Sequence, residues 1–452
     1  MIGGNSMLNR AMNVPEWFKK SSVYQINPRT FSAEGTIKAV TERLPQLASL
    51  GFGVMYLCPI FEEDETTENW SRRQILSETM NPKNPYRITD YFSVDSEYGT
   101  MEDLKEFVDQ THLLGMHVIL DLVFLHAGPN AKILKAHPEF AKQDADGNWL
   151  LNEWNFATFD YTNPGTREYL WSNMVYYIGA IGVDGFRCDV GDQVPEDFWV
   201  EGRRRIQAVK PDAILINEGK KYFWMKNAFD ATYAFAWHNM LYKAFTQGES
   251  AQLIRQQWEA DTAETPRGGL LLRDIDNHDT VTDWPMRTET AAGHEGMEQI
   301  IALNYMMDGI PMVYCGNEIA CEAKLSLFAN RFHPGRFSTT DWQGGNTPAA
   351  NRRQSVIRKL NTLRRESGTL QGGETKWAEH DQPDRVIAFI RRSAQEEWLF
   401  IGNASNEECT VQFNENLSGE VVLTNSETLS ACEDCSALTL KEKTYLILRK
   451  AL

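Results

Sequence analysis

The sequence predicts an α/β protein: a (β/α)8 barrel followed by a C-terminal all-β sandwich domain. Up to about residue 366, short apolar runs alternate with longer amphipathic stretches, which is typical of strands and helices in turn. From residue 367, short β-prone runs separated by Gly, Asn, Asp and Ser replace this alternation. We therefore expect a barrel over residues 1–366 and an antiparallel β domain over residues 367–452.

Eight apolar runs are the candidate barrel strands. They span residues 23–26, 54–57, 117–122, 185–189, 213–217, 229–232, 270–274 and 312–314. Helices are predicted over residues 36–50, 101–114, 166–181, 195–209, 237–245, 298–307 and 352–365. Gly51 and Gly115 end the first two of these helices. The strands predicted for the C-terminal domain span residues 376–380, 385–391, 398–401, 410–413, 420–423 and 444–448.

Charge and hydropathy exclude some classes of partner. The chain has 452 residues and a formal net charge of -17 at pH 7. Nucleic acid binding depends on clustered Lys and Arg, so we expect no nucleic acid partner and a neutral substrate instead. No window approaches 18 uncharged apolar residues, and residues 1–20 contain no apolar run suited to a signal peptide. The protein is therefore expected to be cytoplasmic, with no membrane partner.

The cysteines favour reduced thiols over a disulfide framework. Their number is seven, and Cys58, Cys188 and Cys315 lie within apolar runs. Cys432 and Cys435 form a C-x-x-C pair, but no second pair or nearby His completes a zinc site. We interpret that pair as structural.

An Arg and an Asp two residues apart close the fourth apolar run. Side chains alternate along a strand, so Arg187 and Asp189 point to the same face. A guanidinium beside a carboxylate keeps it ionised and fixes its orientation, as a nucleophile at neutral pH requires. Taken alone, the pair is equally compatible with an ordinary buried ion pair.

Further polar residues close other predicted strands. In a barrel of this kind, residues at the carboxyl ends of the strands meet on one face. Four carboxylates and two imidazoles converge there. They are Asp121, His126, Asp189, Glu218, His278 and Asp279. Like charges on one rim raise each other's pKa, so such a concentration of acids indicates a functional site.

Four short segments resemble the marker regions of the α-amylase superfamily, glycoside hydrolase family 13, in the same order. They are residues 121–126, 185–189, 214–218 and 277–279. Supporting matches lie at residues 23–31, 86–91, 98–100 and 309–318. The resemblance covers the whole barrel, of the TIM type, and extends to the C-terminal β domain.

The resemblance implies a retaining hydrolase of α-1,4-glucosidic bonds in starch-derived α-glucans or malto-oligosaccharides. By similarity, Asp189 is the nucleophile, Glu218 the acid/base and Asp279 a carboxylate that binds sugar hydroxyls and stabilises the transition state. Retention requires two carboxyl groups about 5 to 5.5 Å apart, one ionised and one protonated. Arg187 is expected to hold Asp189 ionised. The apolar run before Glu218 and its acidic neighbours are expected to raise the pKa of Glu218.

The resemblance also implies residues that bind the sugar before the cleaved bond. His126 and His278 match the two histidines that hydrogen-bond this sugar, and Tyr86 matches the aromatic platform beneath it. Arg187 completes the set. Other acids on the rim are expected to be structural or to lie behind the site; they are Asp90, Asp121, Asp274 and Asp276.

Two departures from the family pattern bear on metal and substrate. Leu125 occupies the position of an Asn that is a ligand of the family's common calcium ion, and a leucine cannot coordinate a hard cation. We therefore expect no cofactor and no metal at that position. The sequence 144–148 is interpreted as an Asp-Gly turn. After the nucleophile, Asp192 and Gln193 stand where many amylases have Lys-His contacting the leaving-group side.

Substrate choice remains open at this stage. Residues 127–165 stand where the family inserts its B domain; the segment is short, which favours an open site and linear oligosaccharides. The long loop at residues 61–85 could instead restrict access and favour short substrates. The alternatives are an exo-acting α-glucosidase, an α-glucan transglycosylase and, from a different class, a non-catalytic carbohydrate-binding relative.

Overall fold

Eight parallel strands form a closed barrel in the computed structural model, which describes residues 9–342, 345–426, 428–429 and 435–452. Each strand pairs with its neighbours in chain order, and the last pairs with the first, with Val23 opposite Met312. The strands are β1 Val23–Ile26, β2 Val54–Leu57, β3 His117–Leu122, β4 Gly185–Cys188, β5 Ile214–Asn217, β6 Ala231–Tyr233, β7 Leu270–Arg273 and β8 Ile310–Tyr314. The predicted barrel is confirmed.

The apolar runs form strands here because both faces of the barrel are covered. Alternate residues such as Val54, Ile119 and Ile216 point inward and fill the interior, as the strands of a (β/α)8 barrel do. Their neighbours in the chain pack outward against the helices in a second, larger core. The inward series in β4 ends on Arg187, which places a buried cation at the top of the barrel interior.

Helices cover the outside of the barrel and occupy its loops. The α-helices are Glu16–Lys20, Pro28–Phe31, Ile37–Thr41, Leu44–Ser49, Arg72–Leu76, Met101–Leu113, Lys132–Ala136, Pro164–Tyr176, Glu196–Val209, Phe235–Thr246, Gln252–Glu264, Thr280–Asp283, Thr288–Met306, Pro348–Glu366 and Gly368–Gly372. The single helix expected over 36–50 is wrong, because Pro45 starts a second helix there. The helix expected from residue 298 begins ten residues earlier and is kinked at Gly293, where φ is 74°.

The long connection after β3 carries little regular structure. Its short strand His126–Ala127 pairs with Ala157–Thr158, and a helix at Lys132–Ala136 lies between them. Of its aromatic side chains, Phe156, Phe159 and Tyr161 are buried, whereas Trp149 and Trp154 are partly exposed. A further ribbon precedes it, in which Phe61–Glu63 pairs with Ile88–Val94.

The C-terminal part of the chain is all-antiparallel β, as predicted. Its strands are β9 Glu374–Trp377, β10 Val386–Arg392, β11 Glu396–Asn403, β12 Cys409–Gln412, β13 Glu420–Thr424, β14 Ala437–Leu440 and β15 Tyr445–Ala451. Five of them form one sheet in the order β9-β10-β11-β15-β13, and β12 pairs with β14 in a second. An apolar layer that includes Ile401, Val411 and Leu440 lies between the two sheets.

The other face of the large sheet packs on the barrel. Trp398, Phe400 and Ile447 belong to the same apolar core as the barrel helices. Polar contacts reinforce the junction, since Arg391 Nη1 donates to the Met306 carbonyl at 3.0 Å and Tyr445 Oη donates to Glu298 at 3.0 Å.

Two sequence expectations concern membranes and cysteines. Among the described residues, no helix is long and apolar enough to cross a bilayer. The free, buried cysteines include Cys58, Cys188 and Cys315, as expected. Cys435 is disulfide-bonded, contrary to the expectation of reduced thiols, and Cys432 lies outside the described residues.

Candidate active site

A pocket of about 120 Å³ opens at the carboxyl ends of the barrel strands. This is the end at which (β/α)8 barrels place their functional loops. Six of the seven predicted site residues line it, and the seventh, Arg187, lies buried beneath them. The lining residues are Ser71, Arg73, Asn84, Tyr86, His126, Trp154, Phe156, Asp189, Val190, Glu218, His278, Asp279, Leu327 and Phe328.

Arg187 holds three carboxylates at once. Its Nη1 lies 2.7 Å from Asp121 Oδ1 and 2.9 Å from Asp189 Oδ1, and its Nη2 lies 2.5 Å from Glu218 Oε1. The guanidinium has a fixed planar geometry, so these contacts set the positions of the carboxylates relative to one another. The pair seen in the sequence is thus part of a buried cluster.

The cluster contains three carboxyl groups and one guanidinium. Burial raises the pKa of Asp189 well above its ordinary value, the Glu218 carboxyl adds to the rise, and Arg187 opposes it. The expectation that Arg187 holds Asp189 ionised is therefore opposed by burial and by the neighbouring carboxyl group.

The turns that follow β4 and β5 bring Glu218 next to Asp189. Val190 donates its backbone N–H to Glu218 Oε2 at 2.7 Å, and Gly191 N–H donates to the Glu218 carbonyl at 3.1 Å. Val190 has φ 44° and ψ 40°, a left-handed conformation that β-branched residues rarely adopt. Strain of this kind is maintained by the surrounding contacts and is common at functional sites.

Asp279 is bonded to an arginine from a different loop. Arg73 Nη2 lies 2.8 Å from Asp279 Oδ1 and 3.0 Å from Asp283 Oδ1. Burial raises the pKa of Asp279, but the neighbouring His278 and Arg73 outweigh burial and hold this pKa below its ordinary value. Asp279 therefore remains an anion in the pocket.

Arg73 is a site residue that the sequence did not reveal. It lies on the helix Arg72–Leu76 inside the long loop, and no spacing or motif distinguishes it from other surface arginines. Together with Ser71, Leu327 and Phe328 it forms one side of the pocket, here called the Arg73 wall. Arg73 also lies 5.8 Å from the Phe328 ring centroid, which joins the two loops that make the wall.

Tyr86 and His278 belong to one hydrogen-bond chain. Gln25 Nε2 lies 2.8 Å from His278 Nδ1, and His278 Nε2 lies 2.7 Å from Tyr86 Oη. The Tyr86 hydroxyl in turn donates to Asp121 Oδ2 at 3.1 Å. With Gln25 as donor to Nδ1, His278 donates through Nε2, and the Tyr86 ring is held half-buried at the pocket surface.

His126 lies in the pocket wall with both ring nitrogens occupied. Its Nε2 lies 3.0 Å from the Tyr86 carbonyl, and its Nδ1 lies 3.0 Å from Asn152 Nδ2. Burial lowers the pKa of His126 to about 4, so the ring is neutral at pH 7. A sugar hydroxyl that bonds this ring, as the resemblance implies, must take the place of one of these partners.

The acids expected to be structural or to lie behind the site are absent from the pocket lining. Asp90, Asp121, Asp274 and Asp276 do not line the pocket. Asp276, for example, bonds Arg287 Nε at 3.1 Å and Thr288 Oγ1 at 2.6 Å. These contacts hold the start of the helix that follows the Asp279 loop.

Leu125 is buried in the apolar core, where its side chain offers no oxygen to a cation. Within residues 9–342, 345–426, 428–429 and 435–452, no group of three or more His, Cys, Asp or Glu side chains is arranged to hold a metal. The turn at residues 144–148 is closed by Asp144 Oδ1, which accepts the N–H groups of Asp146 and Asn148 at 2.9 Å each. This is the Asp-Gly turn expected from the sequence.

The sequence profile of the family described as "Alpha amylase, catalytic domain" matches residues 14–153 and 143–353. The chain therefore belongs to the α-amylase family of glycoside hydrolases. A cyclomaltodextrinase from a Bacillus species is 25% identical over 440 residues, covering 86% of this chain and 73% of the relative. An intracellular maltogenic amylase from Bacillus subtilis is 23% identical over 441 residues, covering 87% and 70%.

The fold of the whole chain recurs among solved structures. The crystal structure of a noncanonic maltogenic α-amylase from Thermotoga neapolitana superposes with a TM-score of 0.82 at 26% identity. The match covers 96% of this chain and 100% of that one, so it includes the C-terminal sheets as well as the barrel.

Proposed function

We propose that this protein hydrolyses α-1,4-glucosidic bonds of malto-oligosaccharides or related α-glucans with retention of configuration. The observation that carries the proposal is the sharing of Arg187 between Asp189 and Glu218 at the floor of a pocket. The names of the relatives, a cyclomaltodextrinase and maltogenic amylases, support this substrate class. We also propose a cytoplasmic location, which the intracellular relative supports.

The proposed reaction has two steps. In the first, an Asp189 carboxylate oxygen attacks the anomeric carbon while Glu218 gives its proton to the glycosidic oxygen, so that the leaving sugar departs as an alcohol. In the second, Glu218 removes a proton from water, and the resulting nucleophile displaces Asp189 from the same carbon. Two inversions give net retention, and both carboxyl groups return to their starting state.

The remaining pocket residues hold the sugar for this reaction. Tyr86 offers a ring face to the apolar side of the pyranose. Asp279, kept ionised, accepts hydrogen bonds from sugar hydroxyls and stabilises the positive charge that develops at the anomeric carbon. Arg187 keeps both reacting carboxylates in place as the charge moves between them.

Removal of either reacting carboxylate tests the proposal. We expect Asp189→Asn and Glu218→Gln each to lower kcat on maltoheptaose by about 10³-fold or more, because the nucleophile or the proton donor is lost. Glu201→Gln, which removes a surface carboxylate, is the matched control. Proton NMR of fresh product should show the α-anomer. Near-normal turnover in either variant would overturn the assignment of that carboxylate, whereas no turnover by the unmodified protein would favour a non-catalytic carbohydrate-binding protein.

A second candidate, exo-action with release of short products, is favoured by the Arg73 wall. The wall is bonded to Asp279 rather than to Glu218, so we place it on the side of the pocket away from the leaving group. A sugar bound at Asp189 then has little room for further units beyond it. Digestion of maltoheptaose tests this: glucose or maltose as the first product supports exo-action, mid-length products support endo-action, and lengthened chains indicate transglycosylation.

A further inference from the structure

We propose that Asp192 is a positioning residue for Glu218: its carboxylate fixes the turn that carries the acid/base, and so sets the efficiency of proton donation to the leaving group. The inference rests on the role proposed above for Glu218. Asp192 is one of the two residues after the nucleophile at which the chain departs from the family pattern.

The Asp192 carboxylate binds residues on both sides of Glu218. Its Oδ1 accepts Asn217 Nδ2 at 2.9 Å, and its Oδ2 accepts the backbone N–H of Lys220 at 2.5 Å and of Lys221 at 3.1 Å. Hydrogen bonds to an ionised acceptor are about twice as strong as neutral ones. Glu218 thus lies within a segment that is anchored before and after it by one side chain.

The two turns also fit together sterically. A Cβ on Gly219 would lie 2.2 Å from Asp192 Oδ1, and a Cβ on Gly191 would lie 2.4 Å from Asn217 Oδ1. Glycine at these positions lets each turn approach the side chain of the other. Lys221 Nζ closes the contact by donating to the Asp192 carbonyl at 2.7 Å.

Loss of the Asp192 carboxylate leaves only part of this anchorage. The Val190 N–H still reaches Glu218, but the backbone at residues 220 and 221 loses its acceptor. A displacement of about 1 Å at a reacting group can lower the rate by about 10²-fold. Because proton donation is the step that needs Glu218 most, the loss should depend on how much the leaving group needs a proton.

The dependence of the rate loss on the leaving group therefore distinguishes a misplaced Glu218 from a general disruption of the site. An α-maltosyl fluoride releases fluoride without requiring a full proton transfer, whereas a maltoside of a weakly acidic phenol departs only when Glu218 protonates its oxygen. We expect Asp192→Ala to lower kcat/KM by about 10 to 100-fold on the weakly acidic phenol and by less than about 3-fold on the fluoride.

The experiment compares four proteins on a series of aryl α-maltosides and on α-maltosyl fluoride. Glu218→Gln is the reference for loss of the acid and should show the same trend with a larger slope. Asp197→Ala removes a carboxylate that pairs with Arg167 on the surface of the same connection, and should behave as the unmodified protein. Asp192→Asn keeps the side-chain size and one acceptor oxygen, and it serves in place of the alanine variant if that variant does not fold.

The experiment distinguishes failure of the Asp192 inference from failure of the proposed function. A uniform loss on all substrates, or no loss, in the Asp192 variant overturns the inference while the Glu218 trend remains intact. Failure of the proposed function shows differently, because the unmodified protein would then cleave none of the series or Glu218→Gln would show no dependence on the leaving group. A larger loss on poor leaving groups in both variants supports both statements.

Discussion

At the scale of single residues, the carboxyl groups of the site outnumber the arginine side chains that contact them. Arg187 contacts Asp121, Asp189 and Glu218, and Arg73 contacts Asp279. Asp189 has a raised pKa and Asp279 a lowered one, although both are carboxyls in the same pocket. The two pKa values differ in direction because Asp279 has His278 and Arg73 beside it, whereas Asp189 shares Arg187 with two other acids.

His126 makes the pH dependence of stability testable. Its pKa is about 4 in the folded protein against an ordinary 6.5, so the folded state binds fewer protons than the unfolded state between these values. Stability from this group is thus complete above about pH 6.5 and is lost as the pH falls towards 4, by up to roughly 3 kcal/mol. Urea unfolding at pH 7 and pH 4.5 should show a smaller acid loss for His126→Gln than for the unmodified protein. An equal loss would contradict the assignment.

The requirement of catalysis for calcium can be tested because of Leu125. We propose that catalysis requires no calcium at the position where the family usually binds it. The Leu125 side chain is buried and apolar, so it cannot ligate a cation. Prolonged treatment with EDTA should leave kcat and the melting temperature unchanged within experimental error. Inactivation that added calcium reverses would show that a site exists elsewhere in the chain.

The sequence was sufficient for the residues that lie at strand ends, and insufficient for those that tertiary contacts bring in. Asp189, Glu218 and His278 follow apolar runs, so barrel geometry alone predicts that they meet. Arg73 has no such signal, because its place depends on how a long loop folds back over the rim. Their gathering at one pocket is observed, whereas the catalytic roles remain predictions.

At the scale of elements, the predicted strands were the most accurate part. Apolar runs of three to six residues with both faces covered have few alternatives to a strand, so the barrel strands were all placed. Two further elements were missed: the helix Gln252–Glu264, whose sequence is mostly polar, and the strand Ala437–Leu440, which has only four residues. The ribbon formed by Phe61–Glu63 and Ile88–Val94 was also missed, since its pairing is irregular.

Hydrogen bonds hold the loop that carries the Arg73 wall in place. Gln74 Nε2 donates to the Asn81 carbonyl at 2.9 Å, Asn81 Nδ2 donates to the Phe328 carbonyl at 3.0 Å, and Asn155 Nδ2 donates to the Trp70 carbonyl at 3.1 Å. The wall therefore has support from within the loop and from both neighbouring loops. A loop held by such hydrogen bonds can limit substrate length, because a sugar chain would have to break them to displace the loop.

Arg73→Ala should lengthen the products. Removing the guanidinium opens the pocket beyond Asp279, so more sugar units fit on that side, and we expect the first product from maltoheptaose to shift to longer oligosaccharides. Chromatography of early time points measures the shift. Arg72→Ala, an exposed neighbour on the same helix, is the control. An unchanged product pattern in Arg73→Ala would show that the wall does not set the length.

At the scale of the whole molecule, one buried arginine links distant parts of the rim. Arg29 lies 2.8 Å from Glu63 and 2.9 Å from Glu97, and its Nη1 donates to the Leu327 carbonyl at 2.9 Å. Burial raises the pKa of Glu63 to about 7, and Arg29 opposes the rise. Arg29 thus connects the end of β1 to the ribbon formed by Phe61–Glu63 and Ile88–Val94, and to Leu327 of the Arg73 wall.

Arg29→Ala should lower the free energy of unfolding by roughly 3–5 kcal/mol, because it leaves two buried carboxyls without the cation that they share. Equilibrium unfolding in urea at pH 7 measures this, with Arg72→Ala as the exposed-arginine control. A change no larger than that of the control would mean that Glu63 and Glu97 are satisfied without Arg29.

The apolar core that runs from the barrel helices into the large C-terminal sheet has a consequence for how such chains diversify. Trp398, Phe400 and Ile447 of the sheet share one buried apolar core with the barrel helices. Neither part can be exchanged by recombination without exposing this surface. We therefore expect the barrel and its sheet to be inherited together as one unit.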